Sequence, residues 1–204
     1  NSIDYEYYRL DKLVSIDNLE KASLLIIRNG TNQLLLDSPD DMLNEQLTFE
    51  WDKKYWDTRS NKVLNKRARY NICYGEKNQE PDYENKKGRI VSFDNLPKLN
   101  NWRNKLGEIF GTISSNLEME GNMYYDIDKC GINFHGDSER KKVIACSLGE
   151  SRPIHWQWYH KGNPVDKRLE FELNHGDMYI TSEKTTGNDW KKWDKKTLRH
   201  AAGK

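Results

Sequence analysis

The sequence predicts an α+β chain, mainly β, with helices in its N-terminal half and a β-core behind them. Three observations carry this. Two stretches before residue 112 combine helix start signals with helical spacing of apolar residues. After residue 118 the texture changes to short runs rich in β-branched and aromatic residues. Turns rich in Gly, Asn, Asp and Pro separate those runs at even spacing, the pattern of a sandwich or barrel. No linker divides the 204 residues, so one domain is expected, with 1–117 as a helix/strand region and 118–204 as the β-core.

In chain order, KASLLIIRNGTNQLLL reads as strand, Asn-Gly turn, strand. SPDDMLNEQLTFEW reads as a helix capped near Ser38 or Asp40, with Pro39 in its first turn. NKRARYNICYG alternates as a strand does, and residues 75–89 form a long polar loop. Leu99, Trp102, Leu106 and Ile109 or Phe110 recur at helical spacing, and Gly111 stops that helix. The β-like runs are GNMYYDI, KVIACSLG, IHWQWYH, RLEFEL, DMYITS and TLRHAA. In the third, alternation sets Trp156 and Trp158 on one face and His155, Gln157 and Tyr159 on the other.

Composition excludes several classes. Charged residues make up 32% and aromatics 11%, which fits neither a disordered nor a membrane chain. No window approaches the ~18 apolar residues of a membrane span. The start, NSIDYEYYRLDKL, lacks a basic n-region and an apolar h-region, so secretion is not expected. It also lacks an initiator Met, which reads as a piece of a longer chain. Three scattered cysteines, Cys73, Cys130 and Cys146, argue against a disulfide framework or zinc ribbon and for an intracellular home, cytoplasm or nucleus. A net charge of +1 does not by itself point to nucleic acid. Two local clusters are open to two readings: Lys53 to Arg69, and Lys191 to Arg199. They are solvated surface, or they are phosphate contacts in which Tyr55, Trp56, Tyr70 and Trp190 offer stacking faces.

Five histidines are present. His135 and Asp137 form H-x-D before the run 143–148. Residues i and i+2 of an extended segment share a face, so both side chains can reach one metal. A turn with ordinary polar residues is the competing reading. His200, at the end of the last β-like run, is the natural third ligand. Two His and one carboxylate on one face of an octahedron are the ligand set of non-haem Fe(II) oxygenases. His175, in NHGD, reads as a turn residue, and neither His155 nor His160 reads as a ligand.

The order of these features resembles the 2-oxoglutarate- and Fe(II)-dependent dioxygenases of the AlkB-like family. EGNMYYDIDKCGINFHGD, then VIACSLGESRPIHWQW, then DKRLEFELNHGDMYI follow that family's order of motifs, over roughly residues 118–182. The resemblance implies a double-stranded β-helix, a jelly-roll or cupin-like core, with the N-terminal region as a variable lid over the substrate. It implies that His135, Asp137 and His200 bind Fe(II), and that Asn122 and Tyr124 of N-x-Y hydrogen-bond 2-oxoglutarate. The family holds the far carboxylate of 2-oxoglutarate with an Arg on the strand after the distal His, whereas this sequence ends four residues after His200. Aligning TLRHAAGK with the family's terminal strand gives that role to Arg199, although alternation sets Arg199 on the face opposite His200. EKTTGNDWKKWDKK is longer than the family usually has there and reads as an insertion at the mouth of the site.

The activity implied is oxidative demethylation or hydroxylation of a modified base, with Fe(II), 2-oxoglutarate and O₂ as the required groups. DNA or RNA carrying that base would be the partner. The base would be flipped out or single-stranded, held between aromatic and polar side chains. Arg140, Arg67, Arg69, Tyr70 and Trp158 are the expected substrate contacts. Two alternatives stand beside this: the same core hydroxylating a protein side chain or small molecule, and a non-catalytic β-barrel binding module.

Overall fold

The structure, a computed structural model, describes residues 2–203. In chain order its elements are β1 (Tyr5–Arg9), β2 (Ser23–Ile27), α1 (Gly30–Gln33), α2 (Pro39–Leu47), β3 (Lys54–Asp57), β4 (Lys62–Asn65), β5 (Tyr70–Gly75), β6 (Ile90–Ser92), α3 (Pro97–Phe110) and β7 (Met119–Met123). Then follow β8 (Ile132–His135), β9 (Val143–Cys146), β10 (Arg152–His160), β11 (Asn163–Leu173), β12 (Met178–Thr181), α4 (Glu183–Thr186) and β13 (Lys196–Ala202). The fold is mainly β, with several sheets. Among the described residues, no helix is long and apolar enough to cross a membrane.

The chain forms two compact units. The first joins the residues up to Leu34 with those from Gly131 on, and the second spans Leu35–Cys130. The N-terminal strands therefore share a unit with the C-terminal ones: β2 pairs antiparallel with β12, and β1 with β2.

The first unit holds two four-stranded sheets, β1-β2-β12-β9 and β11-β10-β13-β8. Alternation along β10 turns Trp156 and Trp158 into a core shared with Leu24 and Ile26 of β2, Phe171 of β11 and Leu198 of β13. Burying an aromatic or aliphatic side chain of this size contributes about 1.5–3 kcal/mol each. Tyr8 of β1, a strand the sequence did not announce, packs on Phe171 with ring centroids 4.7 Å apart. The register of β10 against β11 shifts between Trp156 and Trp158, and the Gln157 amide crosses the irregularity, donating to the carbonyls of Val165 (2.9 Å) and Asp166 (3.0 Å). Gln157 is thus buried with its donors satisfied, as a polar group inside a fold must be. β9 is a half-buried edge strand paired on one side with β12.

The second unit bears out both helices. Ser38 caps α2 by accepting from the Asp41 N–H at 3.2 Å, with Pro39 behind it. The first residues of α3 have no cap of their own. Glu45 of α2 supplies one, its carboxylate accepting from the N–H groups of Lys98 (2.8 Å) and Leu99 (2.9 Å). Leu99, Trp102 and Leu106 are buried, while Ile109 is exposed. The sheet β6-β5-β7 and the hairpin β3-β4 complete this unit, and the loop 75–89 contains a short 3-10 turn at Tyr83–Asn85.

One expected strand is absent. NGTNQLLL has the pattern of a second hairpin arm, but Gly30–Gln33 is a turn of helix. The reason is tertiary. Asn29 adopts the left-handed region (φ 45°) and donates its N–H to Asp177 Oδ1 at 2.7 Å, while the Thr31 N–H goes to the Gly176 carbonyl. Partners about 150 positions away in the chain displace the local hairpin, which has to satisfy the same donors.

Candidate metal centre

Strand pairing builds the site. β13 lies beside β8, and His200 sits directly across from His135 in their register. Directly opposed residues in an antiparallel pair hold their Cβ atoms about 4.5–5.5 Å apart, and the two imidazole centroids are 4.4 Å apart. β8 ends at His135, and two residues later the chain presents Asp137 to the same place. Asp137 Oδ1 lies 3.9 Å from His135 Nε2, and Oδ2 lies 3.8 Å from His200 Nε2. The three residues form a group whose donor atoms all fall within 4.8 Å of one another. Two atoms that each bind one metal at about 2.1 Å are at most about 4.2 Å apart, so both measured distances suit a shared ion.

The protonation states fit a cation as well. His135 Nδ1 lies 2.8 Å from the Asn133 carbonyl oxygen. A carbonyl only accepts, so Nδ1 carries the proton and the Nε2 lone pair faces Asp137. Burial pushes the His200 pKa down to about 3, with the neighbouring His135 and Arg140 side chains acting in the same direction. His200 is therefore neutral at physiological pH, the form that binds metal. Donors of two imidazoles and a carboxylate suit Fe(II) with open positions, and also zinc.

The segment after β12 clamps the turn between the ligands. The Asp137 N–H donates to the Thr186 carbonyl at 3.1 Å, and Trp190 Nε1 donates to Ser138 Oγ at 3.0 Å. Gly136 lies between them. A Cβ there would stand 2.1 Å from the Gly187 carbonyl oxygen and 2.7 Å from Trp190 Cδ1, both impossible approaches. Gly187 itself takes φ 75° with its Cα facing the Leu198 carbonyl, so two glycines meet back to back. EKTTGNDWKKWDKK, expected as an insertion at the mouth, thus contacts the backbone of the turn between His135 and Asp137. Sequence reasoning missed Gly136, Thr186, Trp190 and the Asn133 carbonyl. Only the glycine between His and Asp was visible as a signal.

The other expected site residues are dispersed. Arg140 stays at the centre, with Nη1 3.4 Å from Asp137 Oδ2. Arg199 does not share the face of the triad. Its guanidinium lies 4.0 Å from the Tyr159 ring centroid, on the side of β13 away from His200, because neighbouring residues of a strand face opposite ways. Its assignment to 2-oxoglutarate is corrected accordingly. Trp158, expected at the substrate, is fully buried in the core with Nε1 donating to the Leu10 carbonyl at 3.3 Å, so it has no surface to offer. Asn122 and Tyr124 belong to the second unit. Asn122 lies on β7 opposite Asn71 and accepts from Arg69 Nε, and Tyr124 follows that strand. In the same unit Arg67 and Arg69 line a cavity of about 780 Å³ with Tyr55 and Lys66, and Tyr70 stacks on Tyr125 with centroids 4.1 Å apart. His175 is a turn residue as expected, its Nδ1 accepting from the Gly149 N–H at 2.9 Å.

No known family model matches the chain. It is 47% identical over 184 residues to "Uncharacterized protein R156" of Acanthamoeba polyphaga mimivirus, an alignment covering 90% of this chain and 70% of the viral protein. Likeness at that level over that span places the chain in the family of this mimivirus protein.

Proposed function

We propose that the chain is a non-haem Fe(II) dioxygenase of the AlkB-like type, using 2-oxoglutarate and O₂ to demethylate or hydroxylate a modified nucleic-acid base. The observation that carries the reading is the convergence of His135, Asp137 and His200 from β8, the turn behind it and β13. A jelly-roll core is supported by the two antiparallel sheets of the first unit, between which the chain crosses at β8–β9, β9–β10, β11–β12 and β12–β13. The basic and aromatic lining of the cavity in the second unit supports a nucleic-acid substrate.

When bound, Fe(II) supplies O₂ activation and oxidation of a C–H bond. The chain's own residues hold and tune the site. His135 and His200 present Nε2, and Asp137 presents its carboxylate. The Asn133 carbonyl selects the His135 tautomer, and the Thr186 carbonyl anchors the Asp137 backbone. Arg140 offsets the carboxylate charge. For 2-oxoglutarate the fit is poorer: Arg199 faces away from the triad, so no co-substrate step is assigned to it. The co-substrate rests on the resemblance of residues 118–182, in which Asn122 and Tyr124 match the family's N-x-Y.

The test is succinate and formaldehyde release with Fe(II) and 2-oxoglutarate against methylated oligonucleotides and free nucleosides. His135→Ala and Asp137→Ala should abolish turnover and lower metal affinity by more than about 100-fold, beyond the 10–100-fold typical of outer-shell changes, while circular dichroism stays unchanged. Normal 2-oxoglutarate consumption by either variant would overturn the assignment. Tight zinc binding with no Fe(II)-dependent turnover would make this a zinc centre. Salt-insensitive activity would favour a protein side chain or small molecule over nucleic acid.

A further inference from the structure

The side of β13 turned away from the triad carries a second feature. Arg199 lies between two rings, 4.0 Å from the Tyr159 centroid and 5.3 Å from that of Trp190, and its buried Nε has no hydrogen-bond partner among the described residues. It lines a cavity of about 200 Å³ together with Lys161, Lys191, Lys192, Lys195, Trp190 and Trp193. Five of those side chains are cationic, and among the described residues no carboxylate joins the lining.

Trp193 is 64% exposed, an unusual position for the largest apolar side chain. It is nevertheless held in place. Gly162 sits at φ 78°, and a Cβ there would come within 2.7 Å of Trp193 Cζ3, so the missing side chain lets the indole lie against the turn backbone. A fixed indole face in water beside a cluster of cations offers two things at once: a stacking platform and a counter-charge. Phosphate alone would use only the charge. An apolar ligand would use only the ring. A nucleotide uses both, and its base face is available only when it is not stacked in a duplex. The volume suits a single phosphate-bearing unit of a longer strand rather than an enclosed small ligand, whose sites run to about 300–1,000 Å³.

We propose that this cavity binds a segment of single-stranded polynucleotide, with phosphates against Lys161, Lys191, Lys195 and Arg199 and a base on Trp193. The site is separate from the triad and does not rest on the metal reading.

The test is fluorescence anisotropy of a labelled oligothymidylate of roughly 12 nucleotides on the whole chain, with chelator present, between about 50 and about 200 mM salt. Trp193→Ala should weaken binding about tenfold, within the range for loss of one base-stacking platform. Lys191→Glu with Lys195→Glu should lower the slope of log affinity against log salt by about 2, one for each phosphate left without its lysine. A duplex of equal length should bind more weakly. Parent-like affinity in Trp193→Ala, or no binding by the parent chain at low salt, overturns the proposal. So does a result in which inorganic phosphate competes fully and Trp193→Ala has no effect, since that describes an ion site only.

Discussion

At the scale of single residues, the fold moves the titration of His200 across the mildly acid range. An exposed imidazole titrates near 6.5, whereas burial holds that of His200 down to about 3. Between those two values the unfolded chain binds a proton that the folded chain refuses, so stability falls as pH drops through that window. The contribution is complete above about pH 6.5 and shrinks toward pH 3. For the metal-free protein, the loss from pH 6.5 to 4.5 attributable to this residue is up to about 2–3 kcal/mol, at 1.36 kcal/mol per unit. Urea unfolding at several pH values checks it. His200→Gln should flatten the acid slope relative to the parent chain, and equal slopes would mean that His200 is not desolvated in solution.

At the scale of elements, the turn between His135 and Asp137 depends on a contact between segments rather than on its own residues. β8 delivers His135, but the segment running from α4 to β13 holds Gly136 and the Asp137 backbone in place. Gly136→Ala forces Gly187 and Trp190 to move. It should cost about 1–3 kcal/mol or more as an overpacked site, and weaken metal binding at least as much as an outer-shell change, about 10–100-fold. Isothermal titration with Mn(II) and a thermal melt measure the two. Ser138→Ala, which deletes only the Trp190 Nε1 hydrogen bond, should cost about 1 kcal/mol. A Gly136→Ala chain with parent-like metal affinity would show that the clamp is not needed. Much at this scale is legible in the sequence. The six β-like runs correspond to β7 and β9–β13, and the helices α2 and α3 stand as expected, because propensity, capping and alternation are local. β8 carries no strand signal of its own, and α1 has the pattern of a strand, since their backbone partners lie far off in the chain.

At the scale of the whole molecule, the unit that carries the triad is assembled from both ends of the sequence. Leu24 and Ile26 of β2 are fully buried in the core that β10 and β13 share. A chain lacking residues 1–34 should therefore lose amide-exchange protection across β10–β13, while the second unit, Leu35–Cys130, keeps its own. It would leave one edge of β12 unpaired and a core missing the fully buried Leu10, Leu24 and Ile26, at about 2–5 kcal/mol each. Parent-like protection of β10 and β13 in the shortened chain would show that 131–204 folds without β1 and β2.

What the sequence by itself determined are the periodic and the chemical features: the helices before residue 112, the alternating strands after 118, and the H-x-D pair of His135 and Asp137. His200 stands out there as the candidate third ligand, and the pairing of β13 with β8 sets it opposite His135. Only the tertiary structure decided the rest. That Trp158 is core, that Arg199 turns to the far side of β13, and that Gly136 must be glycine all follow from contacts between segments distant in the chain. Periodicity assigns a side chain to one of two faces. Which face meets the core, and which meets water or a ligand, depends on the strand that pairs beside it.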